Sequence, residues 1–345
     1  WELSRKSNSR AFPSSGHYSK VGKEQTGRLK IVLINSSDKG GGAEKIAFNM
    51  HQKLIALGHD STLLVQKKKS NISTVIEISD NWKEELTAIN PDIIHIHNLH
   101  GTSISLEQLS IISENTSIIF TLHDSWLTTG STEHPFELNP SLLSFLNLKE
   151  WLKELEKRKN ALTGSRIQFT VPSQWLRERF FSAHGIRPFF VPNGIDEIEP
   201  TEPSIPSERF ILFVANRPVT NPYKDFATLK KGWKLANEKL GSDGCDLICL
   251  GGEPSSETIG GHSLQILSPK DAGKVRSYME ASILVVQASK QDNAPITILE
   301  AHHVGKFVLG SLAGGIPELL TPIEKEWAYE PENPKQFAGQ LIKAI

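Results

Sequence analysis

The sequence predicts an α/β protein with two doubly wound, Rossmann-like domains that face each other across a cleft. From residue 29 onward, short apolar segments are separated by segments long enough for crossover helices, which is typical of parallel sheets. A chain of 345 residues is long enough for about two domains, each with its own core. A proline-rich segment without periodicity interrupts the alternation near residue 200.

Three regions follow from this pattern. Residues 1–28 are rich in Ser, Gly, Lys and Arg and show no periodicity, so they are interpreted as a basic N-terminal extension on the surface. Residues 29–200 are predicted to form the first domain and residues 201–345 the second. Because open parallel sheets bind ligands at the carboxyl ends of their strands, the cleft between the domains is the predicted binding site.

Continuous apolar runs predict strands that are buried on both faces of a parallel sheet. In the first domain they are 29–35, 61–66, 93–98, 117–124 and 167–173. In the second domain they are 209–216, 245–252, 264–267, 281–289 and 306–311. Cys245 and Cys249 share one of these runs, so they are interpreted as buried strand residues rather than a metal or redox site.

Composition excludes several classes of partner. Lys and Arg number 38 against 39 for Asp and Glu, so the net charge gives no reason to expect nucleic acid. No apolar run approaches a membrane span and no signal-peptide core is present, so a cytoplasmic protein is expected. In residues 142–160, Leu148, Trp151, Leu152 and Leu155 have helical spacing and a basic flank. We interpret this segment as a helix packed on the first domain, with peripheral membrane contact as the alternative.

A glycine loop joins the first strand to its helix. Gly40, Gly41 and Gly42 allow backbone N–H groups to approach an oxyanion near the positive end of that helix. The spacing is not the G-x-G-x-x-G of dinucleotide enzymes, which argues against an oxidoreductase. A tight turn without a ligand is the alternative interpretation.

Histidines concentrate at the ends of two predicted strands. His95 and His97 are two residues apart in "HIHNLHG", so their side chains point to one face of the strand. A zinc site would need a third ligand and a carboxylate at suitable spacing, so these residues and His100 are instead expected to line the cleft. His123 and Asp124 end the strand in "FTLHDSW", where this fold places functional side chains.

Two cations follow the opening strand of the second domain. Arg217 ends that strand and Lys224 lies further along the same connection, so both are expected to reach the cleft, with two surface cations as the alternative. Fixed positive charge in a partly dry site would stabilise the charge that develops on a diphosphate leaving group. No bound metal is expected, because the chain has no Asp-x-Asp motif to carry a cation.

The segment "QDNAPITILEA" is the most specific motif. Asp292, Asn293 and Ala294 form a predicted strand-end loop before Pro295, which suits the first turn of a helix. The free N–H groups beside the proline point at any anion in front of the helix. Glu300 follows about one and a half turns later, where it can face a ribose whose phosphates lie at the helix start.

Taken in this order, the motifs make the chain resemble the retaining, two-Rossmann-domain (GT-B) glycosyltransferases of family 4, in the branch of capsule and colanic-acid transferases. The resemblance covers about residues 29–345. It rests on "GGGAEKIA", "HIHNLHG", "FTLHDSW", "VPSQWL", "VPNGID", the pair Arg217 and Lys224, and "QDNAPITILEA" followed by "GGIPEL". It implies transfer of a sugar from a nucleotide-diphosphate sugar to a carbohydrate, lipid-linked or other hydroxyl acceptor. Surface polysaccharide or glycoconjugate synthesis is the implied role, without a cofactor.

The resemblance also implies roles for single residues. The expected catalytic residues are His123, Arg217, Lys224 and Asp292, and the expected donor-binding residues are Gly41, Gly42, Asn293, Ala294 and Glu300. In the family, Glu300 would bind the ribose hydroxyls, and Asp292 with the backbone after it would hold the donor sugar. The family has a glutamate where Asp292 stands, and the aspartate is expected to keep the function with a shorter reach.

Two other functions share this architecture. A non-hydrolysing nucleotide-sugar epimerase would need an acid and a base placed across the sugar ring, and the motifs contain no such pair. A non-catalytic nucleotide-sugar-binding homologue would be expected to lack the cations or the acidic pair, and the sequence has both. Glycosyl transfer with retention of anomeric configuration is therefore the preferred interpretation.

Overall fold

A computed structural model describes residues 27–129, 145–201 and 205–345. The extension predicted for residues 1–28 therefore lies almost wholly outside the described residues. The described residues form a 7-stranded sheet and a 6-stranded sheet, each with its own helices and hydrophobic core. The predicted fold class is confirmed.

The first sheet is entirely parallel, with strand order β3-β2-β1-β4-β5-β6-β7. Its strands are β1 (Lys30–Ser37), β2 (Asp60–Lys67), β3 (Val75–Glu77), β4 (Ile93–Ile96), β5 (Ser117–Thr121), β6 (Gln168–Val171) and β7 (Phe189–Phe190). Its helices are α1 (Gly42–Ala56), α2 (Trp82–Ile89), α3 (Leu106–Ile112), α4 (Phe145–Leu162) and α5 (Gln174–His184). The strand order reverses between β1 and β4, which opens a crevice at their carboxyl ends.

The second sheet has the order β10-β11-β9-β8-β12-β13 and reverses between β8 and β12. Its strands are β8 (Phe210–Val214), β9 (Asp246–Leu250), β10 (Ser255–Ile259), β11 (His262–Leu267), β12 (Val285–Gln287) and β13 (Val308–Gly310). Its helices are α6 (Phe226–Leu240), α7 (Ala272–Ala281), α8 (Ile296–His303), α9 (Ile316–Leu319), α10 (Pro322–Trp327) and α11 (Pro334–Ala344). Cys245 and Cys249 are buried as predicted, and burial raises the pKa of Cys245 to about 12.

The strands that the sequence analysis missed are β3, β7 and β10, and each is at the edge of its sheet. Edge strands are short and half exposed, so they lack the continuous apolar runs that reveal the central strands. The second sheet is parallel except at one edge, where β10 pairs with β11 in antiparallel fashion. Gly260 and Gly261 both have positive φ between these strands, and a two-residue turn can join only antiparallel neighbours.

The helix predicted over residues 142–160 is α4. The structure does not describe the side chains of Leu148 and Trp151. Leu162 belongs to the core of the first domain, and buried Arg158 donates hydrogen bonds to two backbone carbonyls of that domain. The second half of α4 therefore packs on the first domain, as the preferred interpretation expected. In the described part of the chain, no helix is both long and apolar enough to cross a membrane.

Buried Glu324 ties three elements of the second domain together. This α10 carboxylate is 2% exposed and accepts hydrogen bonds from the backbone N–H groups of Val308, at 2.6 Å, and Thr321, at 2.8 Å. The imidazole of His302 lies 2.9 Å from it. Burial by itself raises the pKa of Glu324, but these hydrogen bonds outweigh burial and lower the pKa to about 2.

We expect Glu324→Gln to lower the free energy of unfolding at pH 7 by about 2 kcal/mol, because it removes charge-assisted hydrogen bonds from a buried site. A carboxylate whose pKa is lowered on folding contributes stability above its ordinary value of 4.5 and loses it as the pH falls toward 2. The difference in free energy of unfolding between the wild type and the variant should therefore narrow as the pH falls below 4.5. Urea unfolding between pH 7 and pH 3 measures it, with exposed Glu326→Gln as the control. If both variants lost the same free energy of unfolding, the stabilising role of the buried Glu324 carboxylate would be contradicted.

Candidate functional site

A cleft of about 680 Å³ lies where the carboxyl ends of the two sheets meet. Its walls come from the glycine loop after β1, the loop after β5, the connection after β8, and helices α7 and α8. Both strand-order reversals open toward this cleft. The cleft is therefore at the position where doubly wound sheets bind ligands.

The glycine loop lies on the cleft wall, but one of its N–H groups already has an anionic partner. Gly41 is the N-cap of α1, and its N–H donates to Glu44 Oε2 at 2.9 Å. The Ser36 hydroxyl donates to the other oxygen of this carboxylate at 3.1 Å. Glu44 therefore neutralises the positive end of α1. Gly41 and Gly42 line the cleft as predicted, whereas a phosphate at the Gly41 N–H would have to displace Glu44.

The structure corrects the placement of His95 and His97. Their rings stack with centroids 4.5 Å apart, which confirms that they share one face of β4. Neither lines the cleft, because β4 is a central strand that is covered on both faces. His95 Nε2 lies 2.8 Å from the Thr121 hydroxyl, and His97 is 1% exposed. Burial lowers the pKa of His95 to about 4 and holds that of His97 well below its usual value, so both rings are neutral at pH 7.

His123 does line the cleft, as the sequence analysis predicts. Its Nε2 lies 2.9 Å from Nδ1 of His97, which is behind the cleft wall. Burial lowers the pKa of His123 to about 4, although the charge of Asp124 opposes this shift. His123 therefore meets the cleft as a neutral ring, and one of its two nitrogens is already bonded.

His100 and Asp124 form a second polar pair on the same wall. His100 Nε2 lies 2.7 Å from Asp124 Oδ2, and both residues line the cleft. The other carboxylate oxygen of Asp124 accepts the backbone N–H of Trp126 at 2.8 Å. Within "HIHNLHG", His100 is thus the histidine that the structure brings to the cleft.

Lys224 and Asp292 meet in the cleft, whereas Arg217 does not join them. Lys224 Nζ lies 2.5 Å from Asp292 Oδ2, and these side chains are 21% and 16% exposed. Arg217 is exposed and is not among the residues that line the cleft. The chain turns sharply after β8, with Arg217 at a φ of 51° and its carbonyl accepting the N–H of Asn221 at 2.9 Å. Asn216 lines the cleft beside this turn.

Glu300 lines the cleft from α8 and pairs with a lysine of the other domain. The partner is Lys45 on the first turn of α1, and the side chains of Lys45 and Glu300 are 30% and 15% exposed. The sequence analysis missed Lys45, although it lies just beyond the glycine loop in "GGGAEK". The missing information was that α1 faces α8, which depends on how the two domains are arranged.

Asn293 uses its side chain to hold the two domains together. It is 3% exposed, its amide donates to the backbone carbonyl of His123 at 3.0 Å, and its amide oxygen accepts a hydrogen bond from the Ser173 hydroxyl. The Ala294 carbonyl likewise accepts from Asn193 at 3.3 Å. The side chain of Asn293 and the carbonyl of Ala294 are therefore already bonded within the protein.

A glycine pair packs against this loop from behind. The N–H of Gly315 donates to the Asp292 carbonyl at 3.0 Å. A Cβ on Gly314 would collide with that carbonyl, and a Cβ on Gly315 would collide with the carbonyl of Asn293. The "GG" of "GGIPEL" is therefore explained by the close approach of two backbone segments.

The helix that follows the glycine pair, α9, contacts the N-terminus of α5 in the first domain. Glu318 on α9 accepts the backbone N–H groups of Gln174, at 2.7 Å, and Trp175, at 2.6 Å, at the start of α5. A carboxylate at a helix N-terminus is favourable because it meets unpaired donors and the positive end of the helix dipole. Within the described residues, no group of three or more His, Cys, Asp or Glu side chains could hold a metal ion.

Solved structures with this fold cover nearly the whole chain. WaaG, a glycosyltransferase involved in lipopolysaccharide biosynthesis, has a TM-score of 0.66 at 14% identity over 91% of this chain and 90% of its own. HepE from Anabaena, in complex with UDP-glucose, has a TM-score of 0.64 at 18% identity over 92% of this chain and 89% of its own. Sucrose-phosphate synthase from Thermosynechococcus elongatus has a TM-score of 0.64 at 14% identity over 92% of this chain and 89% of its own. At these identities the likeness shows a shared fold, the GT-B arrangement.

Family models match both halves of the chain in sequence. No curated protein matches it. Residues 40–198 match the family described as Glycosyltransferase Family 4, and residues 198–345 match the family described as Glycosyl transferases group 1. Together the two matches extend without a gap from the glycine loop to the last residue. The chain therefore belongs to the glycosyltransferases, with a family 4 segment followed by a group 1 segment.

Proposed function

We propose that this protein transfers a sugar from a nucleotide-diphosphate sugar to an acceptor hydroxyl, with retention of anomeric configuration. One observation carries the proposal: a single cleft holds Lys224, Asp292 and Glu300 from one domain opposite His123 from the other. These groups can bind a diphosphate, a sugar and a ribose at once. HepE, which shares the fold, binds UDP-glucose, so a uridine diphosphate sugar is the first donor to test.

The nucleotide is proposed to lie along the second-domain wall. The first N–H groups of α8 follow Pro295 and have no side-chain cap, so they can meet the diphosphate together with Lys224. Apolar Val214, Val275 and Met279 line the cleft nearby and offer a surface for the nucleobase. The positive charge is thus supplied by the protein, and we propose that no divalent cation is required.

Donor binding is proposed to exchange partners in the cleft. Without a ligand, both acids are occupied, Asp292 by Lys224 and Glu300 by Lys45. A nucleotide-diphosphate sugar offers phosphates to the lysines, and sugar and ribose hydroxyls to the carboxylates. Each charged group therefore keeps a hydrogen-bond partner when the donor enters, which limits the cost of separating the pairs.

The acceptor is proposed to approach from the first-domain wall, where His100 and Asp124 supply polar contacts. A carbohydrate or lipid-linked hydroxyl fits this wall, and we place the reaction in surface polysaccharide or glycoconjugate synthesis. The related WaaG acts in lipopolysaccharide biosynthesis, which supports this role. A cytoplasmic enzyme is part of the same proposal, with peripheral membrane contact at the inner face as the alternative.

The proposed reaction is a same-face displacement. The acceptor oxygen attacks the anomeric carbon as its bond to the diphosphate oxygen breaks, and the acceptor proton passes to that departing phosphate oxygen. Lys224 and the start of α8 stabilise the developing negative charge. Neutral His123 is poorly suited as a base, because burial holds its pKa at about 4.

A donor screen tests the proposed function. UDP-, GDP-, ADP- and TDP-linked sugars are compared by thermal unfolding in a chelator, and one nucleotide series should stabilise the protein by about 2.7 kcal/mol at 100 times its dissociation constant. Glu300→Gln should weaken that stabilisation. If no donor stabilises the wild type, the proposal fails. If stabilisation or transfer appears only after manganese is added, the metal-free site is wrong.

Lysine variants test the exchange of partners. Calorimetric titration with the nucleoside diphosphate and with the nucleoside alone separates the two lysines. Lys224→Met should weaken diphosphate binding by about 100-fold and leave nucleoside binding unchanged, because only the phosphates use Lys224. Lys45→Met should strengthen nucleoside binding by about threefold, because the ribose no longer competes with an ion pair.

Arg217→Ala is the matched control for the lysine variants. Its side chain is exposed and does not line the cleft, so both affinities should stay within about twofold of the wild type. A loss like that of Lys224→Met would restore the paired role that the sequence analysis gave to Arg217. Unchanged nucleoside binding in Lys45→Met would refute the competition for Glu300.

Product stereochemistry tests the mechanism. Proton NMR of the first-formed product should show the donor's anomeric configuration, because attack and departure take place on one face of the sugar. The coupling constant at the anomeric position reports the configuration directly. An inverted product would require a base on the opposite face and would contradict both the mechanism and the resemblance to retaining enzymes.

A further inference from the structure

Two imidazole rings are joined behind the first-domain wall of the cleft. His97 Nδ1 lies 2.9 Å from His123 Nε2, and the rings are nearly parallel, with an interplanar angle of 14°. Only His123 lines the main cleft. A hydrogen bond between two ring nitrogens requires a proton on one of them and a lone pair on the other.

Both rings are neutral at pH 7, because burial lowers their pKa values. Each ring therefore carries one N–H, and only two arrangements of protons are compatible with the bond. In the first, His97 donates from Nδ1, and His123 carries its proton on Nδ1. In the second, His123 donates from Nε2, and His97 must carry its proton on its own Nε2.

The surroundings of His97 distinguish these arrangements. His97 Nε2 is fully buried and has no hydrogen-bond partner in the part of the chain that the structure describes. Apolar Leu99, Phe120 and Leu122 line the small cavity beside this ring. Polar Asn98, His100 and Asp124 line it as well, but none of them bonds His97 Nε2. The second arrangement would bury an N–H with no acceptor, and orphaned N–H donors are the rarer defect in folded proteins. The first arrangement leaves only an unused lone pair at that position.

We propose that His97 is a positioning residue: it donates from Nδ1 to His123 Nε2 and so holds the His123 ring with its proton on Nδ1. His123 then meets a ligand as a hydrogen-bond donor, because its acceptor nitrogen is occupied. The inference rests on the proposed function only for the ligand, which would be a hydroxyl oxygen of the donor sugar. It explains why a histidine at the cleft does not serve as a base.

Ring nitrogens report this arrangement directly. The full chain is labelled with ¹⁵N-histidine, and long-range ¹H–¹⁵N correlation near pH 7 distinguishes protonated from unprotonated nitrogens in each ring. His123→Gln identifies the signals of His123. We expect the proton of wild-type His123 on Nδ1. A wild-type proton on Nε2 would overturn the proposal, whether or not any variant folds.

Substitutions of His97 test its control over His123. His97→Leu removes the donor, so His123 should lose its fixed Nδ1 proton and kcat should fall by about fivefold, the effect of one neutral hydrogen bond. The donor KM should stay within about twofold. His97→Asn keeps an amide donor at the place of Nδ1 and should restore both the tautomer and the rate.

His95→Gln is the control, because His95 belongs to the same stack but bonds Thr121 rather than His123. It should leave the His123 tautomer unchanged. If His97→Leu also left the tautomer unchanged, His97 would not be the positioning residue. If the tautomer behaves as expected but the wild type transfers sugar from no donor, the proposed function fails while this inference stands.

Discussion

The attachment of the Asp292–Ala294 loop to both domains is the constraint on which the rest of the cleft depends. The buried amide of Asn293 bonds Ser173 and the His123 carbonyl, and Gly315 bonds the loop from behind. An unpaired buried amide would cost about 1–3 kcal/mol, so these bonds hold the loop against the first domain. Asp292 and His123 are therefore held at fixed positions relative to each other, although they belong to different domains. The groups that would meet the donor sugar are thus placed before any ligand arrives.

The charges of the cleft suit a ligand that carries both phosphates and hydroxyls better than a ligand that carries only one of them. Each acid is paired with a lysine, and the side chains are partly exposed. Solvent that reaches these ion pairs screens their attraction, which lowers the cost of exchanging partners. Inorganic phosphate alone would attract the lysines but leave Asp292 and Glu300 without partners. A nucleotide-diphosphate sugar satisfies both sets of groups, because its hydroxyls lie on either side of its phosphates.

The sequence predicts what depends on burial and strand order, and it misses what depends on turns and domain arrangement. Central strands are apolar on both faces, so they and the polar residues that follow their carboxyl ends, such as His123 and Asp124, are readily located. Edge strands lack that signal. Arg217 has a left-handed φ of 51°, which is uncommon outside glycine and has no local signature here, so its direction could not be anticipated. Lys45 enters the site only because α1 faces α8 across the domains.

The two helices that begin at the cleft differ in a way that divides the donor between the domains. At α1, Glu44 accepts the N–H of Gly41, so the positive end of this helix is neutralised from within. At α8, Pro295 precedes the first turn and no side chain caps it, so its N–H groups remain available to an anion. In the proposed function, a diphosphate is therefore drawn to the second domain. The first domain, with neutral His123 and the His100–Asp124 pair, would then meet hydroxyl-bearing groups, and the reacting sugar would lie between the two walls.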